Sequence, residues 1–150
     1  MIHFAYPNVI PKKGLFIGCG RYGVLHETFP LKPEYIEVSE TPNTPNRRHL
    51  EYALQLLAPA SYDSNRIVVE KKDQPSHQYQ GNSLDLAYFL AHTHRSRDLK
   101  KQLSGDIWCT GAIEVKDGTP FLHKVEESGF QLKLTHFLDD KCSDRLFIVP

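Results

Sequence analysis

Residues 67–91 read IVVEKKDQPSHQYQGNSLDLAYFLA, and this stretch decides the fold class. Ile67, Val68 and Val69 form a β-branched run that reads as a short strand. The following residues, EKKDQPSHQYQGN, are polar and include Pro75 and Gly81, which reads as a loop. From Ser83 onward, Leu86, Ala87, Leu90 and Ala91 recur at helical spacing and predict a helix with one buried side. The serine at that helix start carries a second meaning. A helix start leaves N–H groups free, and these can hold a developing oxyanion. Gly81 permits the close backbone approach that a substrate carbonyl needs. Serine is also a common helix cap, so this stretch alone leaves Ser83 open between nucleophile and cap.

Upstream, RRHLEYALQLLAPA places Leu50, Ala53, Leu54 and Leu57 on one face, which predicts a helix over 48–58 that Pro59 ends. Before it lie strands over 24–29 and 35–38, joined by Pro30-Leu31-Lys32-Pro33. Gly18-Cys-Gly20-Arg-Tyr-Gly23 follows the apolar run 15–17 and matches GxGxxG. A dinucleotide site needs a helix directly after the glycines, to hold the pyrophosphate at its N-terminus. VLHETFPLKPEY, with two prolines, does not provide one, so the glycines read as a turn between strands. Downstream, 107–113 reads as a strand containing Trp108. Lys116-Asp117-Gly118 reads as a hairpin turn between 113–115 and 120–125. FQLKLTHFL at 130–138 reads as a helix, and 146–149 as a last strand. The mixture of strands and helices predicts an α/β or α+β fold, with helices packed on a mixed sheet.

The chain has 150 residues, 40% hydrophobic and 24% charged, in keeping with one ordinary globular domain over 1–150. The formal net charge is zero, which gives no electrostatic case for a nucleic-acid or membrane partner. Arg95, Arg97, Lys100 and Lys101 cluster locally and read as a solvated face. Cys19, Cys109 and Cys142 are odd in number and lack a CxxC, which argues against a disulfide framework or a zinc site. His92-Thr-His94 lacks further ligands nearby, and no HExxH occurs, so no metal is expected. MIHFAYPNVIPKKG lacks the features of a secretory leader, and no apolar run approaches the length that spans a bilayer. A cytoplasmic location is the expectation. No GxxxxGK[ST] phosphate loop occurs, so no ATPase is expected within these residues.

In its second half the chain reads DIWCTGAIEVKDGTPFLHKVEESGFQLKLTHFL and ends in FIVP. Taken with Gly81-Asn82-Ser83, this order resembles the proteolytic domain of Lon-type (S16) serine peptidases. There a helix and strand lead to Gly-x-Ser at a helix start, followed by a Thr-Gly strand, a hairpin, a glycine-led helix bearing a lysine, and a strand ending in proline. The match covers essentially the whole chain: helix 48–58, strand 67–70, Gly81-Asn82-Ser83, Thr110-Gly111, Gly129-Phe130-Gln131-Leu132-Lys133-Leu134 and Ile148-Val149-Pro150.

The resemblance implies a fold like ribosomal protein S5 domain 2 and a hydrolase cleaving peptide or protein substrates without a cofactor. Ser83 matches the nucleophile and Lys133 the general base. Thr110 matches a threonine beside that lysine, and Gly81, Asn82 and Leu84 flank the serine. A serine hydroxyl needs an adjacent base, and a lysine serves if burial lowers its pKa. Phe130, Leu132, Leu134 and Phe137 surround Lys133 in sequence and make such burial plausible. The plain alternative is a lysine whose stem covers an apolar face while its head stays in water. Lys124 is a second candidate base; Lys133 is preferred because it follows a Gly-x-x-x-Lys run and lies at a suitable distance ahead of the last strand. Leu84 and Asp85 stand where the family has alanine and glycine, so Leu84 is expected to narrow the site. Ala112 stands where the family has glutamate, and the family's domain usually continues past the proline, so the chain reads as a pared-down form or a fragment of a longer protein. The family often forms rings, which leaves a homo-oligomer open. The alternative function is an inactive domain of the same fold that acts as a binding or regulatory module.

Overall fold

A computed structural model describes residues 3–25, 32–37, 47–57, 67–71, 83–93, 106–123, 126–139 and 146–150. Strand β1 (His3–Ile10) leads through a turn of 3-10 helix (Pro11–Lys13) to β2 (Leu15–Leu25). Then come β3 (Tyr35–Glu37), helix α1 (Arg47–Leu57), β4 (Ile67–Lys71) and α2 (Asp85–Thr93). Strands β5 (Ile107–Cys109), β6 (Ala112–Lys116) and β7 (Thr119–His123) precede α3 (Glu127–Asp139) and β8 (Leu146–Ile148). Six strands form one sheet in the order β3-β4-β2-β1-β5-β8, and β6-β7 form a separate hairpin. β5 runs parallel to both β1 and β8, and the other pairs are antiparallel, so the sheet is mixed.

Alternation along the strands builds two cores, one on each face. Phe4, Tyr6, Tyr22, Val68, Ile107 and Cys109 face α1 and α2, which contribute Leu50, Ala53, Leu54, Leu86, Ala87, Tyr88 and Ala91. Ala5, Cys19 and Trp108 face the other way, packed by Phe16, Phe137 and Phe147. Trp108 anchors this second core: its ring stacks on Phe16 at 6.2 Å and meets Phe137 edge-on at 5.5 Å. Burying side chains of this size stabilises the fold by roughly 1.5–3 kcal/mol each before entropy is counted.

The structure corrects several expectations. The opening residues, weighed only as a leader, form the central strand β1. The glycines at 18, 20 and 23 do not make a turn; they lie inside the long strand β2, and no helix follows Gly23 within it. Their use is steric at Gly20, where a Cβ would overlap the ring of Tyr6 across the strand pair. The predicted strand 107–113 breaks at Thr110-Gly111 into β5 and β6. The hairpin turn is as expected, with positive φ at both Asp117 (52°) and Gly118 (76°). The helix over 48–58 and the strand over 67–70 appear at 47–57 and 67–71. Residues 26–29 and 38 of the early strands, His94, the basic residues 95–101 and Cys142 lie outside the described residues.

Candidate active site

Strand alternation explains how a threonine comes to face a lysine. Ile107 and Cys109 point to the α1–α2 face, and Trp108 to the α3 face. Thr110, next in line, points to the α3 face, just where β5 ends. On α3, Phe130, Lys133 and Phe137 share one stripe at spacings of three and four. Both phenylalanines pack against Phe147 of β8, which turns the stripe toward the sheet and carries Lys133 inward. Lys133 is only 5% exposed, and Thr110 is fully buried. The lysine therefore does not snorkel.

α2 lies on the opposite layer, but its start reaches the same end of β5. Leu84 accepts the first helical hydrogen bond, from Tyr88 N–H at 3.1 Å, so Ser83 sits just before the helix. Its side chain does not cap the helix. Instead Lys133 Nζ donates to Ser83 Oγ at 3.1 Å and to Thr110 Oγ1 at 2.9 Å. Three residues separated by up to 50 positions thus meet through one amine. The N–H group of Leu84 belongs to the set that a helix start leaves without intrahelical acceptors.

Backbone bonds lock this arrangement. Gly111 N–H donates to Ser83 C=O and Leu86 N–H donates to Gly111 C=O, both at 3.0 Å. On the other side Thr110 N–H donates to Ile148 C=O at 3.1 Å. A Cβ at Gly111 would meet Leu122 Cδ1 at 3.0 Å and Pro150 Cγ at 3.3 Å, so this corner is tight.

Burial favours the neutral amine. Lys133 is lowered from 10.5 to about 8 by desolvation, with an electrostatic contribution from nearby Cys19 working in the opposite direction. A buried amine near pH 8, held against a serine hydroxyl, is the pairing a serine nucleophile requires. Cys109 is the opposite case: burial pushes its thiol far up, which leaves it inert.

Of the residues the sequence singles out, Ser83, Lys133 and Thr110 come together. Leu84 does not narrow the site: its side chain is 6% exposed and belongs to the α1–α2 core. Gly81, Asn82 and the alternative base Lys124 lie outside the described residues. His92 packs against the Tyr88 ring at 4.5 Å. Among the described residues no group of three or more His, Cys, Asp or Glu could hold a metal ion, and no helix is long and apolar enough to cross a membrane. The sequence reading assigned no part to Asp85, which is fully buried and accepts a hydrogen bond from Ile113 N–H at 2.9 Å. Its place two residues after Ser83, in an apolar helix, was the available signal. No family model, no curated protein and no solved structure matches the chain.

Proposed function

We propose that the chain is a serine peptidase domain of the Lon type, working through a Ser83–Lys133 dyad on peptides or flexible protein segments. The observation that carries this reading is the 3.1 Å contact between Lys133 Nζ and Ser83 Oγ, with burial lowering the lysine to about 8. The order of elements around the dyad, set out above, supports the family and its fold.

In this reading neutral Lys133 takes the Ser83 proton as Oγ bonds to the scissile carbonyl carbon. N–H groups at the start of α2 stabilise the oxyanion. The tetrahedral intermediate collapses, the C–N bond breaks, and Lys133 gives its proton to the leaving amine. Water then attacks the acyl-enzyme, with Lys133 taking the water proton and returning one to Ser83. Thr110 Oγ1 holds the amine toward the serine throughout.

Hydrolysis of an unstructured fluorogenic casein tests the proposal. Wild type should cleave, and Ser83→Ala and Lys133→Ala should each abolish cleavage with unchanged folding. Equal turnover by wild type and Ser83→Ala would refute it.

A further inference from the structure

Among the described residues, three hydrogen bonds sew the start of α2 to the corner after β5. Two are backbone bonds, between Gly111 and the pair Ser83 and Leu86. The third is made by a side chain: Asp85 Oδ2 accepts from Ile113 N–H at 2.9 Å, with the carboxyl fully buried. Burying a carboxylate is unfavourable unless hydrogen bonds compensate it, so its presence in an apolar helix calls for a reason. The first turn of a helix favours negative charge, and the Ile113 bond fixes where the carboxyl sits. That bond ties the helix turn that begins beside Ser83 to the strand that continues from Thr110-Gly111. Ser83 and Thr110 are the two groups that Lys133 bridges, and their separation sets the length of both its bonds.

From this geometry we infer that Asp85 is a positioning residue, whose hydrogen bond to Ile113 holds Ser83 and Thr110 at the spacing the Lys133 amine needs. The inference rests on the serine–lysine reading of the site. Asp85 acts as a strut, and what matters is where its acceptor oxygen lies.

Two variants separate geometry from charge. Asp85→Asn keeps an acceptor at the same reach and cannot ionise, whereas Asp85→Glu keeps a carboxyl and displaces the acceptor. The rate of covalent labelling at Ser83 by a peptidyl boronate is measured for both and for Asp85→Ala, with melting followed in parallel. Asp85→Asn should label within about threefold of wild type. Asp85→Glu and Asp85→Ala should label about 10- to 100-fold more slowly, the loss expected when reacting groups are misplaced by about an ångström. If Asp85→Ala fails to fold, the Asn and Glu pair decides alone. Wild-type labelling rates in Asp85→Glu, or equal slowing in Asp85→Asn and Asp85→Glu, would overturn the inference. A readout independent of activity is the Lys133 titration, followed by NMR of 13C-lysine. Its midpoint should stay at about 8 in Asp85→Asn and rise in Asp85→Glu as water reaches the amine. If wild type is not labelled at all, the peptidase reading fails, and this titration still decides the strut. A shift in Glu but not in Asn upholds it, and no shift in either rejects it.

Discussion

Replacing Lys133 by methionine should make the protein more stable at neutral pH and catalytically dead. Methionine is unbranched, of similar length, and adapts to irregular apolar spaces. The lysine is 5% exposed, with its pKa lowered from 10.5 to about 8. Between those values the unfolded chain holds a proton that the folded chain has released, so stability rises with pH across that window. Below about pH 8 the penalty for the buried amine is fully present, at about 3 kcal/mol. Methionine escapes it but loses the bonds to Ser83 and Thr110, worth about 1 kcal/mol each. Lys133→Met should therefore be about 1 kcal/mol more stable than wild type near pH 7. The difference should move by about 2 kcal/mol and reverse in favour of wild type by about pH 9.5, as wild type gains from deprotonation. Urea unfolding of both proteins across this range is the assay. A difference that stays constant with pH would refute the reasoning, because the lysine would then be as well solvated folded as unfolded.

Other consequences can be checked separately. With neutral Lys133 as the proposed base, the rate of acylation should rise with pH through an inflection at about 8 and then level off; a flat profile would contradict this. Thr110→Val should lower kcat by about tenfold with little change in KM, because it removes the 2.9 Å partner that orients the amine; steady-state kinetics on a peptide decides it. Gly20→Ala should destabilise the fold by about 1–3 kcal/mol or more by forcing the Tyr6 ring aside, read from the shift in urea midpoint. Burial alone would raise the Asp106 carboxyl, but hydrogen bonds with His3 and Arg21 overcome it and hold it at about 2. That contribution is present above the ordinary value of 3.8 and is lost as pH falls toward 2. Asp106→Asn should accordingly lower stability by about 1–2 kcal/mol near pH 7 and flatten the acid limb of the stability curve, measured by thermal melts from about pH 2 to pH 7.

What the sequence makes legible follows from periodicity. The helix at 47–57 carries an apolar stripe of period 3.6, and the hairpin carries Asp117-Gly118, so type and place were both readable. The meeting of Thr110 and Lys133 was only half legible. Each residue could be marked as a candidate, but the meeting depends on Thr110 lying one step past Trp108 on the α3 face and on Phe130 and Phe137 turning α3 inward. β1 escaped the sequence reading because Pro7 interrupts the pattern of HFAYPNVI and proline is unusual in an inner strand. The glycines of β2 misled for a related reason. Glycine signals a turn unless a ring such as Tyr6 packs across it, and that ring lies on a strand the sequence did not reveal. Leu84 was misplaced because a residue next to a nucleophile reads as site-lining, whereas the first turn of α2 directs it into the core. Asp85 carried no motif, and its bond to Ile113 spans 28 positions.

The most direct test of the central claim is intact-mass analysis after exposure to a serine-directed peptidyl inhibitor, run on wild type, Ser83→Ala and Lys133→Ala. A single adduct on wild type, mapped to Ser83 and absent from both variants, is the predicted result. A folded wild type that takes no adduct, or an adduct that persists in Ser83→Ala, would contradict the account.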